Sequence, residues 1–231
     1  MDEVRKDVGE RKERTRGRPR AAADTGNPQP VGRDTLIEVA IGLLEHTEPR
    51  EITPMAVARA AEVHPSLLRY YFRTRAGLLT AVAERMMGYV AEQVEAASQR
   101  ESWTAKDRLL ARIEAIVDLN DRFPNFHQLM VSEIAGSPEP AARALTARAA
   151  KSGIAAYGDI VRSGVEEGVF REVDPALLYA IVIGMAEFLP TARRQFEVAL
   201  DAVPAPSLLR MAYTQFVCDI IVRGIARQGG S

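Results

Sequence analysis

The sequence predicts an all-α protein, and three observations carry that prediction. From Asp34 onward apolar residues recur three and four positions apart, the period of one helical face. No run of alternating apolar and polar residues reads as a strand. Prolines at 54, 65, 140, 175 and 206 sit where helical patterns begin, positions at which the missing N–H costs nothing.

The elements follow in order. Residues 1–32 are rich in Arg, Asp, Glu, Gly and Pro, with Val4, Val8 and Val31 as bulky aliphatics. Such a segment cannot bury enough surface to offset its ordering entropy, so an arm disordered when free is expected. Leu36, Ile37, Val39, Ala40, Leu43 and Leu44 mark one face of a first helix, which Glu45–Pro49 stops. Thr53 then Pro54 reads as an N-cap and first helical residue, opening a short helix to Ala61. After the turn Glu62-Val63-His64, Pro65 starts a second short helix through Tyr70 or Tyr71, and a long helix runs from Arg75 to about Gln99. Trp103–Asn120 carries Leu109, Leu110, Ile113, Ile116 and Val117 at core spacing, and Pro124–Ile134 reads as one further helix. A long segment from Pro140 to Gly168 contains Gly153, Gly158 and Gly164, which either permit close helix packing or mark a kink. Asp174-Pro175 opens a strongly apolar helix that Pro190 should bend or break, and a last helix spans about Pro206 to Arg227.

Composition removes several function classes. One cysteine, Cys218, supports neither a disulfide framework nor a cysteine-based zinc site, which fits a reducing cytoplasm. The charged N-terminus lacks an apolar core behind it, so no secretory signal is expected. No stretch approaches the ~20 apolar residues of a membrane helix, since Leu177–Leu189 is short and contains Glu187. No phosphate-binding Gly-Lys-Ser/Thr loop and no nucleophile elbow occur, and His46, His64 and His127 are scattered. Neither enzyme activity nor a cofactor or metal is therefore expected.

The stretch Ile52–Leu79 is the informative one. Two short helices about three residues apart, the second leading into a basic and aromatic cluster, form the pattern of a helix-turn-helix. Ile52, Val57, Ala58, Ala61, Val63 and Leu68 would hold the pair together. His64, Ser66, Leu67, Arg69 and Tyr70 would face outward into a major groove. Arg69, Arg73, Arg75 and Arg85 stand against Glu84 alone between His64 and Arg85, a local excess suited to phosphate neutralisation. An ordinary helical hairpin with a solvated basic face would look similar.

The run from Ile52 to Leu79, above all Leu68-x-x-Tyr71-Phe72-x-x-Arg75-x-x-Leu78-Leu79, resembles the DNA-binding domain of TetR-family transcriptional regulators. The resemblance is close over Asp34–Arg85. Beyond it the likeness is helix count and the turn Gly168-Val-Phe-Arg-Glu-Val-Asp-Pro175. It implies an N-terminal helix-turn-helix DNA-binding domain (33–87) followed by a larger helical ligand-binding and dimerisation domain (88–231). It also implies that Thr53 offers its hydroxyl or N–H to a phosphate, and that His64, Pro65, Ser66 and Leu67 touch base edges. Arg69 and Tyr70 would reach bases or backbone, and Tyr71 and Arg75 would bind phosphates. Departures are Glu62 where the family holds Gly, Arg69 where it holds Tyr, Arg75 where it holds Lys, and, in place of Thr, Leu67, which meets a thymine methyl but forms no hydrogen bond.

Arg11–Arg20 holds six basic residues and one acid. Arg16-Gly17-Arg18-Pro19-Arg20 resembles the core of an AT-hook, which would place Arg16, Arg18 and Arg20 in a narrow minor groove. A solubilising tail is the alternative. In the C-terminal part the resemblance implies a homodimer interface through the last two helices; Leu177, Leu178, Ile181, Val182, Met185 and Phe188, with Leu209, Tyr213, Phe216 and Ile220, serve either that interface or the chain's own core. Trp103, Phe123, Phe126, His127, Met130, Tyr157, Met185 and Phe188 are the candidate lining of an effector pocket between the middle helices. His127 in particular is a ligand contact or is satisfied by a backbone carbonyl.

The expected protein is a cytoplasmic, nucleoid-associated homodimer that binds double-stranded operator DNA of palindromic sequence, answers an unnamed small-molecule effector and acts as a repressor. The alternative is a helical small-ligand-binding or interaction protein that no longer reads DNA. The 30 basic and 31 acidic residues give a net charge of -1, a total that conceals two basic segments (Arg11–Arg20 and His64–Arg85) within an acidic remainder.

Overall fold

A computed structural model describes residues 31–98 and 103–227. Among these residues the chain forms α1 (Arg33–Leu44), α2 (Pro54–Ala60), α3 (Pro65–Phe72), α4 (Arg75–Ser98), α5 (Ala105–Arg122) and α6 (Phe126–Gln128). A π-helical segment (Leu129–Ala135), α7 (Pro140–Glu166), α8 (Pro175–Ala199) and α9 (Pro206–Ile225) complete it. One isolated bridge, Phe170 to Ala226, is the only extended pairing among the described residues. The all-α expectation therefore stands.

Local chemistry sets the helix starts. The Thr53 hydroxyl accepts the Ala56 N–H at 3.1 Å, and Asp174 accepts from Ala176 at 2.8 Å, each meeting a donor that the first turn leaves orphaned. Thr104 and Asp107 form a reciprocal capping box at α5. Thr74 accepts the Gly77 N–H at 3.0 Å and so caps α4.

Two apolar clusters make up the core. The first joins α1–α4 to Leu119, Phe123, Phe126, Leu129, Ile134, Ala142 and Leu145. The second is built from α5, α7, α8 and α9. Val90 on α4 packs against both, so α4 links the helix-turn-helix to the bundle behind it.

Three expectations are corrected. Pro124–Ile134 is not one α-helix: a turn at Asn125 precedes α6, and the chain then winds as a π-helix. Leu129 and Ile134, five residues apart, are both buried, which is the π rather than the α spacing. Pro190 does not break α8, which continues to Ala199. The ring is itself buried, and the turn beyond it is tied to α5 through Arg193 and Asp121. Unbroken by its proline, α8 is long and apolar enough by composition to cross a membrane, although Leu178, Val182, Ala186 and Leu189 belong to the second core cluster.

The glycines of α7 serve packing and mark no kink, since the helix runs uninterrupted for 27 residues. A Cβ on Gly164 would lie 2.0 Å from the Phe170 ring, and one on Gly153 would lie 2.6 Å from the Tyr179 ring. Each glycine is a notch that receives an aromatic side chain.

Candidate nucleic-acid interface and effector half

The second helix of the pair, α3, turns its apolar side inward at Leu68 and Phe72. His64, Pro65, Ser66, Arg69 and Tyr70 are exposed, with Tyr70 77% accessible. A large aromatic so open on an eight-residue helix gains nothing from the chain's own core. His64 caps α3 through its ring: Nδ1 accepts the Ser66 N–H at 3.3 Å and lies 2.8 Å from Ser66 Oγ. With Nδ1 as acceptor, the neutral ring carries its proton on Nε2, a donor on the outer side. Tyr71 is half-buried, edge-on to Tyr70 at 5.1 Å, and packs on the first core cluster.

Thr53 is partly buried and its oxygen already caps α2; its hydroxyl proton remains available to an acceptor. Leu67 is also partly buried and packs against the core, so it is less outward than expected. Arg75 departs furthest from expectation. Its Nε donates to Ile52 O at 3.1 Å, and Nη2 donates to Pro49 O at 2.6 Å. Nη1 and Nη2 then form a fork on Glu133 at 2.7 and 2.9 Å. Four of a guanidinium's five N–H donors are thus engaged within the chain, and Arg75 is not presented to a phosphate. Arg85 is similarly paired with Glu38 and Glu92.

Within the helix-turn-helix, the exposed cations without an ion-pair partner among the described residues are Arg59, Arg69 and Arg73. Arg59 lies on α2 and was not among the expected contacts, because nothing local distinguishes it from any solvated arginine. Arg73 occupies the junction of α3 and α4 at φ 58 and ψ -52. Thr74 N–H donates to Phe72 O across it at 2.6 Å, which makes the junction a γ-turn of the rarer, strained hand. Glu62, at the turn between α2 and α3, adopts φ 54, so the left-handed turn persists without glycine. Arg16, Arg18 and Arg20 lie outside the described residues.

The expected effector-pocket residues are not brought together around one cavity. Phe123 and Phe126 are buried in the first core cluster, with Met130 packed against it, while Tyr157 is buried in the second. Trp103 sits partly exposed before α5, and Phe188 is 51% exposed. His127 meets a carboxylate rather than a backbone carbonyl: its Nδ1 lies 2.8 Å from Glu187 Oε2. Met185 lines an apolar surface groove of about 560 Å³ with Leu177, Ile181 and Ile220, between α8 and α9. A larger groove of about 930 Å³ between the end of α4, α5 and α9 is lined by both charges, including Lys106, Glu114, Asp118 and Arg210.

The residues expected at a dimer face differ in burial. Leu178 and Val182 are buried in the chain's own core, and Leu209 and Tyr213 are partly buried against it. Leu177, Ile181, Phe188, Phe216 and Ile220 remain exposed, joined by Leu208 and Met211.

Residues 103–230 match the family model described as tetracyclin repressor-like, C-terminal domain. No curated protein sequence matches the chain. Among solved structures, FadR from Bacillus subtilis in complex with stearoyl-CoA is similar at 20% identity and a TM-score of 0.63, covering 82% of this chain and 97% of that one. The TetR-family regulator PfmR from Thermus thermophilus is similar at 24% identity and a TM-score of 0.59, covering 85% and 98%. AibR in complex with isovaleryl coenzyme A and operator DNA is similar at 17% identity and a TM-score of 0.60, covering 79% and 96%. The family model spans more than half of the chain, and with the helix-turn-helix in front of it the protein belongs to the TetR family of transcriptional regulators.

Proposed function

We propose that the chain is a homodimeric, ligand-responsive repressor that binds a palindromic operator through α3. The observation that carries this reading is the outer face of α3, where His64, Ser66, Arg69 and Tyr70 are exposed together and flanked by Arg59 and Arg73, cations without an ion-pair partner among the described residues. His64 Nε2–H, Ser66 Oγ, Arg69 and Tyr70 supply base-edge contacts. Thr53, Tyr71, Arg59 and Arg73 supply contacts to phosphate, which fix position without reading sequence. Arg16, Arg18 and Arg20 enter an adjacent minor groove. Residues 33–87 form the DNA-binding domain and 88–231 the effector and dimer domain. AibR, with its acyl-CoA and operator DNA, and FadR, with its acyl-CoA, support a small-molecule effector for the second half. The chain acts as a cytoplasmic regulator and not as an enzyme.

Gel retardation of the DNA upstream of the gene, measured across salt concentrations, tests this reading. Arg69→Ala with Tyr70→Ala should weaken specific binding by roughly 2–6 kcal/mol, at about 1–3 kcal/mol per base contact, while leaving helix content unchanged. Deleting residues 1–20 should weaken binding and flatten its dependence on salt, because fewer counterions are released. Unchanged retardation by the double variant would remove α3 as the reading helix.

A further inference from the structure

Three arginines of the bundle have a buried Nε with no hydrogen-bond partner among the described residues: Arg108, Arg112 and Arg193. Two of them find a carboxylate with another part of the guanidinium, Arg108 on Glu167 at 3.9 Å and Arg193 on Asp121. Arg112 has no ion-pair partner among the described residues. Its guanidinium instead lies 5.1 Å from the centre of the Tyr157 ring. Tyr157 is fully buried, and among the described residues its hydroxyl has no hydrogen-bond acceptor, with the Arg112 guanidinium as its polar neighbour. Burial pushes that hydroxyl up to about 12, against the opposing pull of Arg112, so it is a neutral donor across the physiological range. Tyr179 stands edge-on to Tyr157 at 6.2 Å, in the notch that Gly153 leaves open.

Arg112 is partly buried, and burying its Nε without a partner leaves part of its desolvation uncompensated; a cation–π contact recovers only some of that cost. A buried hydroxyl without an acceptor adds to that cost. A single oxygen acceptor meets both groups, and the guanidinium favours one that bears negative charge. They come from α5 and α7, with Tyr179 of α8 beside them, and the surrounding cluster is aliphatic at Leu109, Ile113, Val161, Leu178 and Val182. Arg112 retains solvent-accessible surface, which provides a route to the pair.

We propose that Arg112 and Tyr157 form the anion-recognising end of the effector site, and that the effector is a carboxylate on an apolar body. One guanidinium and one hydroxyl match the two oxygens and single charge of a carboxylate. A phosphate would bring more charge and a third oxygen to the same single cation. The apolar body displaces side chains of the aliphatic cluster and does not fill a standing cavity. The proposal rests on the reading of this half as an effector domain.

The test uses the full-length protein and a series of linear saturated carboxylates, from butanoate to dodecanoate, with the matching alcohols and alkyl phosphates. Binding is followed by thermal shift and calorimetry in wild type, Arg112→Met and Tyr157→Phe. Carboxylates should raise the midpoint while alcohols do not. Tyr157→Phe should weaken the best carboxylate by about tenfold and Arg112→Met by about a hundredfold, as the loss of a neutral and a charge-assisted hydrogen bond would. Without ligand, Arg112→Met should melt at or above the wild-type temperature, since an unpaired charge has been replaced by an apolar side chain. The proposal is overturned if acids and alcohols act alike, if no carboxylate shifts the midpoint, if alkyl phosphates bind best, or if Arg112→Met melts lower. Operator retardation by ligand-free Arg112→Met should match wild type. Retained retardation with no carboxylate response sinks the anion site alone, whereas absent retardation in wild type sinks the regulator reading.

Discussion

At the scale of single residues, Arg75 shows what local sequence conveys and what it leaves out. Its place in the Tyr71-Phe72-x-x-Arg75 run was legible, and from that alone it counted as a phosphate contact. Its partner Glu133 lies 58 residues away on the π-helical segment, and no local pattern announces such a pair. The Arg75 hydrogen bond, with its charge, holds the Glu133 carboxyl below its ordinary value of 4.5, against a smaller opposing effect of burial. A carboxylate depressed in the folded state contributes stability that is present above the unfolded value and lost as pH falls through the folded one. The wild-type urea midpoint should therefore fall more steeply below the ordinary carboxyl value of 4.5 than that of Glu133→Gln. Because the pair is partly exposed, with side chains 32% and 20% accessible, the difference near neutrality should be about 1 kcal/mol. Parallel pH profiles for the two proteins would show that the pair adds nothing. The effector candidates were less legible for a related reason: aromatic residues in the middle helices are as useful to a core as to a pocket. Phe123 and Phe126 went to the core, whereas Arg112, an arginine on α5 with no local motif around it, is set beside the buried Tyr157 only by the packing of α5 on α7.

At the scale of elements, signals within four residues of each other are legible in the sequence, and those that depend on distant packing are not. Thr53, Asp174 and the prolines that follow them mark helix starts because capping is a local hydrogen-bond problem. Pro190 and the π-helix escaped because burial and the Arg193–Asp121 tether hold a helix that local propensity would end. The junction between α3 and α4 lies between these cases. Its shortness was evident, but not that Arg73 would stand in a strained γ-turn. Strain of this kind costs on the order of 1–3 kcal/mol and persists where function requires the side chain. Glycine takes the same conformation without a Cβ penalty, though it adds about 0.4–1 kcal/mol of unfolded-state entropy. Arg73→Gly should accordingly raise the thermal midpoint by a few degrees and, by removing a phosphate contact, weaken operator binding and lower its salt slope by about one. A variant that is both less stable and equally tight on DNA would show that Arg73 is neither strained nor a contact.

At the scale of the whole molecule, exposed apolar surface is concentrated away from the helix-turn-helix. Ion pairs run through both halves, with Arg33–Asp34, Arg50–Glu48 and Arg85–Glu38 in the first and Arg162–Asp159, Arg193–Asp121 and Arg210–Asp118 in the second. The helix-turn-helix leaves Arg59, Arg69 and Arg73 unpaired among the described residues, so a net charge of -1 coexists with a surface that attracts DNA. Apolar exposure is concentrated instead on α8 and α9, where Leu177, Ile181, Phe188, Phe216 and Ile220 lie open. A patch of this kind on one face marks an interaction surface, and a two-fold interface meets itself, so each substitution acts twice. Ile181 and Ile220 line the same groove and are 50% and 43% exposed, so charging them leaves the chain's own core intact. Ile181→Glu with Ile220→Glu should convert the dimer to a monomer in sedimentation velocity, with unchanged helical circular dichroism. Because two half-sites must be held one helical turn or a multiple apart, the monomer should also lose cooperative binding to a palindrome while keeping weak affinity for a single half-site. A double variant that still sediments as a dimer would place the interface elsewhere, and the apolar face of α8 and α9 would then need another partner.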